Sequence, residues 1–205
     1  MNAMDERMQK VLESIKASPK EVRLLPVDER VLAECRERLP LNWGSLLGVL
    51  LENTGGIVID GWLRFYGAGE LNILERNKLV PFRELAIAED VLGGVFLLLA
   101  DGNVGYFASD CLEVEEMEFQ PGRFLTWCLH GDTELFYSDY RWAGWRKDVS
   151  ELRCDEGFAF YPFLFAKADG IESRARRKVP MAEIIGLEFD FLRQLGQGGA
   201  GAAEE

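Results

Sequence analysis

The chain has 205 residues, 48% of them apolar, with 23 Lys and Arg against 35 Asp and Glu for a formal net charge of −12. That length and apolar share are enough for a buried core and exclude a chain disordered throughout. The acidic balance disfavours nucleic acid and anionic membrane as partners and favours cationic ones. No apolar run reaches the roughly 20 residues of a membrane span, and the polar start MNAMDERMQK lacks the apolar stretch of a signal peptide. A cytoplasmic protein is expected.

Met4, Met8, Val11, Leu12 and Ile15 recur on a 3.6-residue period and predict an amphipathic helix over 4–16, stopped at Ser18-Pro19. A second helix is predicted over 28–38, capped by Asp28, and a third after Ser45, closed at Gly55-Gly56. Residues 1–40 thus read as a helical N-terminal extension. The β-branched and aromatic runs 57–59 and 62–66 then flank Asp60-Gly61 as two strands, and 94–100 with 104–108 form a hairpin around Asp101-Gly102-Asn103. A further strand over 112–117 alternates Leu112 and Val114 on one face with Glu113 and Glu115 on the other. Strands so close in sequence leave no room for helical crossovers, so an antiparallel meander is expected.

Helical texture returns at Pro121, with Phe124, Leu125, Cys128 and Leu129 on one side, and Asp132 can cap a further short helix. Residues 158–165, FAFYPFLF, contain Pro162, which cannot donate to a ladder, so that strand is expected at an edge or bulged and offers a surface for homo-oligomer formation. A last helix is predicted from Pro180 to about Leu195, ended by Gly196 and followed by a flexible tail over 196–205. The fold class is α+β, an antiparallel sheet flanked by helices in one domain over 1–195.

Catalytic templates are missing. There is no G-x-S-x-G elbow, phosphate loop or H-E-x-x-H helix, and the four widely spaced cysteines with a single histidine offer no metal site. The cysteines read as reduced and buried. Cys128 and His130 would point about 200° apart on a helix, and Gly67-Ala68-Gly69 lacks a third glycine, so neither a thiolate–imidazole pair nor a dinucleotide loop is expected. No cofactor is implied.

Two binding readings remain. Glu113 and Glu115 give a negative face that could attract a basic protein, and Trp142 and Trp145, beside Arg141 and Arg146, have the make-up of exposed interface anchors. The alternative is an enzyme or small-molecule sensor with a carboxylate and aromatic pocket built from Asp60, Trp62 and Asp90. The run Arg174, Arg176, Arg177 and Lys178 reads as an exposed loop.

The ordered stretches TGGIVIDGWLRFYGAG, EDVLGGVFLLL, VGYFASDCLEVEEM, FLTWCLHGDTELFYSDYRWAGW, EGFAFYPFLF and SRARRKVPMAE, spread over about residues 41–185, resemble the bacterial family called domain of unknown function 2625. Val114 stands where that family has tryptophan and Glu70 where it commonly has histidine, so a function resting on that histidine would be absent here. More remotely, the order of helices, strands and glycine turns is similar to the SUKH superfamily of Smi- and Knr-like proteins. That resemblance implies an α+β protein-binding module, often an immunity protein that neutralises a basic toxin.

Overall fold

A computed structural model describes residues 3–200. Its main sheet is a seven-stranded antiparallel meander, β1 (Val22–Leu25), β2 (Gly56–Ile59), β3 (Leu63–Tyr66), β4 (Leu85–Asp90), β5 (Val95–Leu98), β6 (Val104–Ala108) and β7 (Glu113–Glu116), each strand beside its neighbour in sequence. Short turns join the strands from β2 to β3 and from β4 to β7, while residues 26–55 and 67–84 connect β1 to β2 and β3 to β4 through helical segments. Asp60 and Gly61 both take positive φ, at 52° and 67°, which lets the three-residue connection Asp60–Trp62 join β2 to β3 with the twist that the strands require. Gly102, at φ 88°, does the same between β5 and β6, where Asp101 accepts the Asn103 amide.

Helices and a hairpin cover the two faces. On one side lie α1 (Ala3–Ala17), α3 (Leu46–Asn53) and α5 (Pro121–His130), packed on one another and, through Phe124, on Phe65 and Phe96. The Ser45 side chain caps α3, and Pro121 opens α5 at a position where a missing amide costs nothing. α2 (Glu29–Arg38) is capped by Asp28, and α6 (Thr133–Phe136) by Asp132. On the other side sit α4 (Ile73–Asn77), α8 (Met181–Ala200) and a separate hairpin of β8 (Glu156–Tyr161) with β9 (Ala175–Pro180), while α7 (Trp145–Ser150) links the layers. The α+β antiparallel architecture expected from the sequence is the one observed.

Several local expectations change. Residues 1–40 are not a purely helical extension, because 22–25 form β1 and pair with β2. The strand expected over 112–117 shortens to β7, and all four of its residues are exposed, Val114 included. As the last strand of the sheet it has no layer over either face, whereas Leu112 is buried by a left-handed turn at φ 57°. Most of the basic run is no loop: Arg176, Arg177 and Lys178 lie in β9, fixed by pairing with β8, while Arg174 precedes the strand. Pro162 follows the end of β8, and Phe163 and Phe165 stack on each other and pack on Phe191. The aromatic run therefore turns back on α8, and β8 already donates from Phe158 N–H to the Val91 carbonyl outside its pairing with β9. α8 continues past Gly196 to Ala200, so the expected tail is helical that far; the rest of it, 201–205, lies outside the described residues. Three cysteines are buried as expected, but Cys111 is exposed, and all four are free thiols.

Candidate functional site

The residues expected to bind separate into three places. Glu113 and Glu115 stand exposed on β7, as the sequence suggests. Trp142 and Trp145 do not stand out: they are 1% and 6% exposed. Both were expected at the surface because arginines stand beside them in sequence, yet arginines cover the rings, two of them those neighbours and one from β9. Arg141 sits 4.2 Å over Trp145 and 4.9 Å over Trp62, and Arg176 sits 4.8 Å over Trp142. Stacked guanidinium groups let indoles bury without losing the charge to water. These tryptophans are core, and the interface role assigned to them does not stand in this conformation.

Asp60, Trp62 and Asp90 also fail to converge. Asp60 holds the β2–β3 turn, its carboxylate accepting the Glu21 amide at 3.0 Å, and it faces a polar cleft of about 250 Å³ shared with Arg23 and Arg146. Trp62 lies inside the Arg141 stack with its indole N–H unpartnered. Asp90 is fully buried and saturated: it accepts from Leu92 N–H at 2.8 Å, Gly94 N–H at 3.1 Å, Tyr106 Oη at 2.7 Å and Tyr137 Oη at 3.0 Å. Burial raises its pKa to about 6, with these donors working against the rise. Four donors closing on one carboxylate leave no place for a substrate.

Its neighbour on β4, Glu89, faces the opposite side of the sheet, as the two-residue strand period dictates. It is completely buried, 3.2 Å from Arg76 and 3.6 Å from Arg64, and it accepts from Tyr66 Oη at 2.9 Å. Both arginines also donate to the Cys154 carbonyl, which ties the sheet to the chain entering β8. Two guanidinium groups and the carbonyls they reach surround the one carboxylate, and the cluster binds layers together.

One buried carboxylate has no such set of partners. Glu188, on α8, is 5% exposed, and its Oε2 has no hydrogen-bond partner. Burial pushes its carboxyl up to about 8; the Ser109 hydroxyl beside it holds the rise back, and Asp90 adds to it. It lines a cleft of about 420 Å³ between α8 and the β8–β9 hairpin, walled by Phe158, Phe160, Phe163 and Phe165, with Leu92 and Ser109 also on its surface. Phe158 and Phe160 are buried, while Tyr161 stands 72% exposed beside the opening. Arg174 fixes the far wall by donating to the carbonyls of Pro162, Phe163, Leu164 and Ala166. Gly93 makes room for the acid: a Cβ there would stand 2.8 Å from Glu188 Oε1 and 2.6 Å from Ile184.

The cleft combines volume, apolar walls and one unsatisfied polar group, which is the make-up of a small-molecule site. Its polar residue was legible in principle. Met181, Ile184, Ile185 and Phe189 form the buried stripe of α8, and Glu188 is a charge set within that stripe. The walls were not legible, since they depend on how the aromatic run bends. Among the described residues no three His, Cys, Asp or Glu side chains gather as a metal site, and no helix is long and apolar enough to cross a membrane.

The chain is 33% identical over 191 residues to the protein YbfG of Escherichia coli (strain K12), which covers 86% of this chain and 88% of that one. It is 34% identical over 138 residues to an uncharacterized protein of Haemophilus influenzae, covering 58% of this chain and 60% of that one. No solved structure matches it. The family profile takes in residues 1–184, including the first 40 that the resemblance left out, as β1 within the sheet requires. The chain belongs to DUF2625, a family of proteins of unknown function.

Proposed function

We propose that this protein is a binding module that takes a small apolar ligand into the cleft between α8 and the β8–β9 hairpin. The carrying observation is the coincidence of a cavity of about 420 Å³, phenylalanine walls and a buried carboxylate oxygen without a partner. An orphan acceptor in an apolar site costs free energy that a ligand donor would recover. The surrounding acids that a catalyst would need are engaged elsewhere, so we assign no reaction. We place the binding event in the cytoplasm, in line with the four free thiols.

Fluorescence titration with the uncharged probe N-phenyl-1-naphthylamine, displaced by butylbenzene, tests this reading. Saturable one-site binding is expected in the native protein and its loss in Ala175→Trp, where an exposed residue of the cleft lining becomes large enough to close the mouth. Binding that is unsaturable, or indifferent to that substitution, overturns it.

A second reading has its own support. β7 is an edge strand carrying Glu113, Glu115 and Glu116 in the open, and an unpaired edge can accept a strand from a basic partner protein. That arrangement suits the protein-binding, immunity-like role that the SUKH resemblance implies. Binding of a cationic protein that weakens with salt and is lost in Glu113→Lys/Glu115→Lys supports it; binding unchanged by the double substitution counts against it. Light scattering in the same samples reads homo-oligomer formation.

A further inference from the structure

We infer that the ligand of this cleft carries an amine, received by Glu188 at the inner end while the phenylalanines hold an aromatic or alkyl body. The inference rests on the cleft reading above and goes beyond it by naming the polar group.

Oε2 of Glu188 lacks a donor, so the ligand's polar end must supply one. The charges around the cleft decide which kind. From β4 comes Asp90, close enough to raise the Glu188 pKa, and α8 contributes Glu183. Ser109, after β6, donates to the Leu92 carbonyl at 3.2 Å, and its hydroxyl also lies beside Glu188. β8 presents only the Tyr161 hydroxyl, at the exposed rim. β9 supplies the two cations, Arg176 and Arg177, both on its exposed positions. Arg176 is engaged by Asp148 at 3.6 Å and by the Trp142 face, and neither arginine forms an ion pair with Glu188. At the buried end the acids are Asp90 and Glu188 itself, while Glu183 and the β9 arginines stand at the exposed opening. An anionic head would be repelled inside, and a hydroxyl would meet the orphan oxygen but gain nothing from the Asp90 carboxylate nearby. An ammonium does both, and aromatic walls favour cations over their faces.

The proton balance is simple and involves no covalent step. With a pKa near 8 the empty site holds Glu188 as the neutral acid around neutral pH. An arriving ammonium keeps its own proton and stabilises the carboxylate, so the Glu188 proton leaves to the buffer.

Calorimetry with 4-phenylbutylamine, 4-phenylbutanol and butylbenzene, in two buffers of different ionisation enthalpy, tests the inference on the full chain. The amine is expected to bind about tenfold more tightly than the alcohol, with release of about one proton at about pH 7, and its affinity should climb with pH until about 8 and then level. Glu188→Gln should abolish the proton release and the preference for the amine while leaving butylbenzene affinity within about threefold. Equal binding of amine and alcohol, or amine binding without proton release, overturns the amine and leaves the cleft standing. Failure of all three probes to bind overturns the cleft itself. The buffer comparison on the unmodified protein decides the matter even if the glutamine variant does not fold.

Discussion

The buried acids of β4 and the buried acid of α8 occupy the same interior and differ in company. Glu89 is flanked by two guanidinium groups and a tyrosine, and even its Oε1, without a hydrogen bond, has Arg64 3.6 Å away. Asp90 is closed by four donors. Glu188 has neither cation nor donor on Oε2 and opens onto a cavity. A buried charge that the fold needs is supplied with partners by the fold; one left open beside free volume is where an outside group can gain binding energy.

The contrast can be broken in order of expected effect. Glu89→Ala strands Arg64 and Arg76 in the interior and should cost about 3–5 kcal/mol in urea unfolding; a loss below about 1 kcal/mol would mean that water reaches the cluster. Asp90→Asn keeps the oxygen that accepts from the backbone amides of Leu92 and Gly94 but turns the tyrosine acceptor into a donor, a loss of about 2–3 kcal/mol. Glu188 behaves oppositely. Its carboxyl titrates at about 8 in the fold against 4.5 for a free side chain, so the folded state holds an extra proton between those values and stability falls as pH rises across them. Glu188→Gln should remove that decline and leave the variant about 1–2 kcal/mol more stable than the parent near pH 8. A parent whose thermal midpoint is flat from about pH 5 to 8 would show that the carboxyl is already ionised and solvated.

Smaller effects sharpen the boundary of the site. Arg174→Ala frees the carbonyls of residues 162–166 and should cost about 1 kcal/mol while weakening probe binding, as hydrogen exchange in that segment would register. Glu113→Lys/Glu115→Lys lies on open surface, so stability should move by less than about 0.5 kcal/mol even as the salt dependence of any partner complex changes.

Local signals carried far. Asp28, Ser45 and Asp132 announce helix starts, and each side chain caps its helix as expected. Asp60-Gly61 and Asp101-Gly102-Asn103 announce turns, because their backbone needs conformations that most residues resist. β1 and β9 were harder: VRLL has no clean alternation, and the arginines of β9 look like loop until the partner strand is in place. The tryptophans misled for a related reason, since Arg141 and Arg146, beside Trp145 in sequence, become its cover in space, and Arg176 arrives over Trp142 from far along the chain.

Sequence by itself determined the α+β class and the antiparallel turns at β2–β3 and β5–β6, through capping residues and glycine turns that act within a few residues of chain, whereas β1 and β4 joined the sheet only in the structure. Only the tertiary structure decided which acids are satisfied and which is left open. Partners such as Arg76 for Glu89, Tyr137 for Asp90 and the Phe158–Phe165 walls around Glu188 come from far along the chain. Burial and charge compensation are properties of that assembled neighbourhood, and no residue type carries them alone.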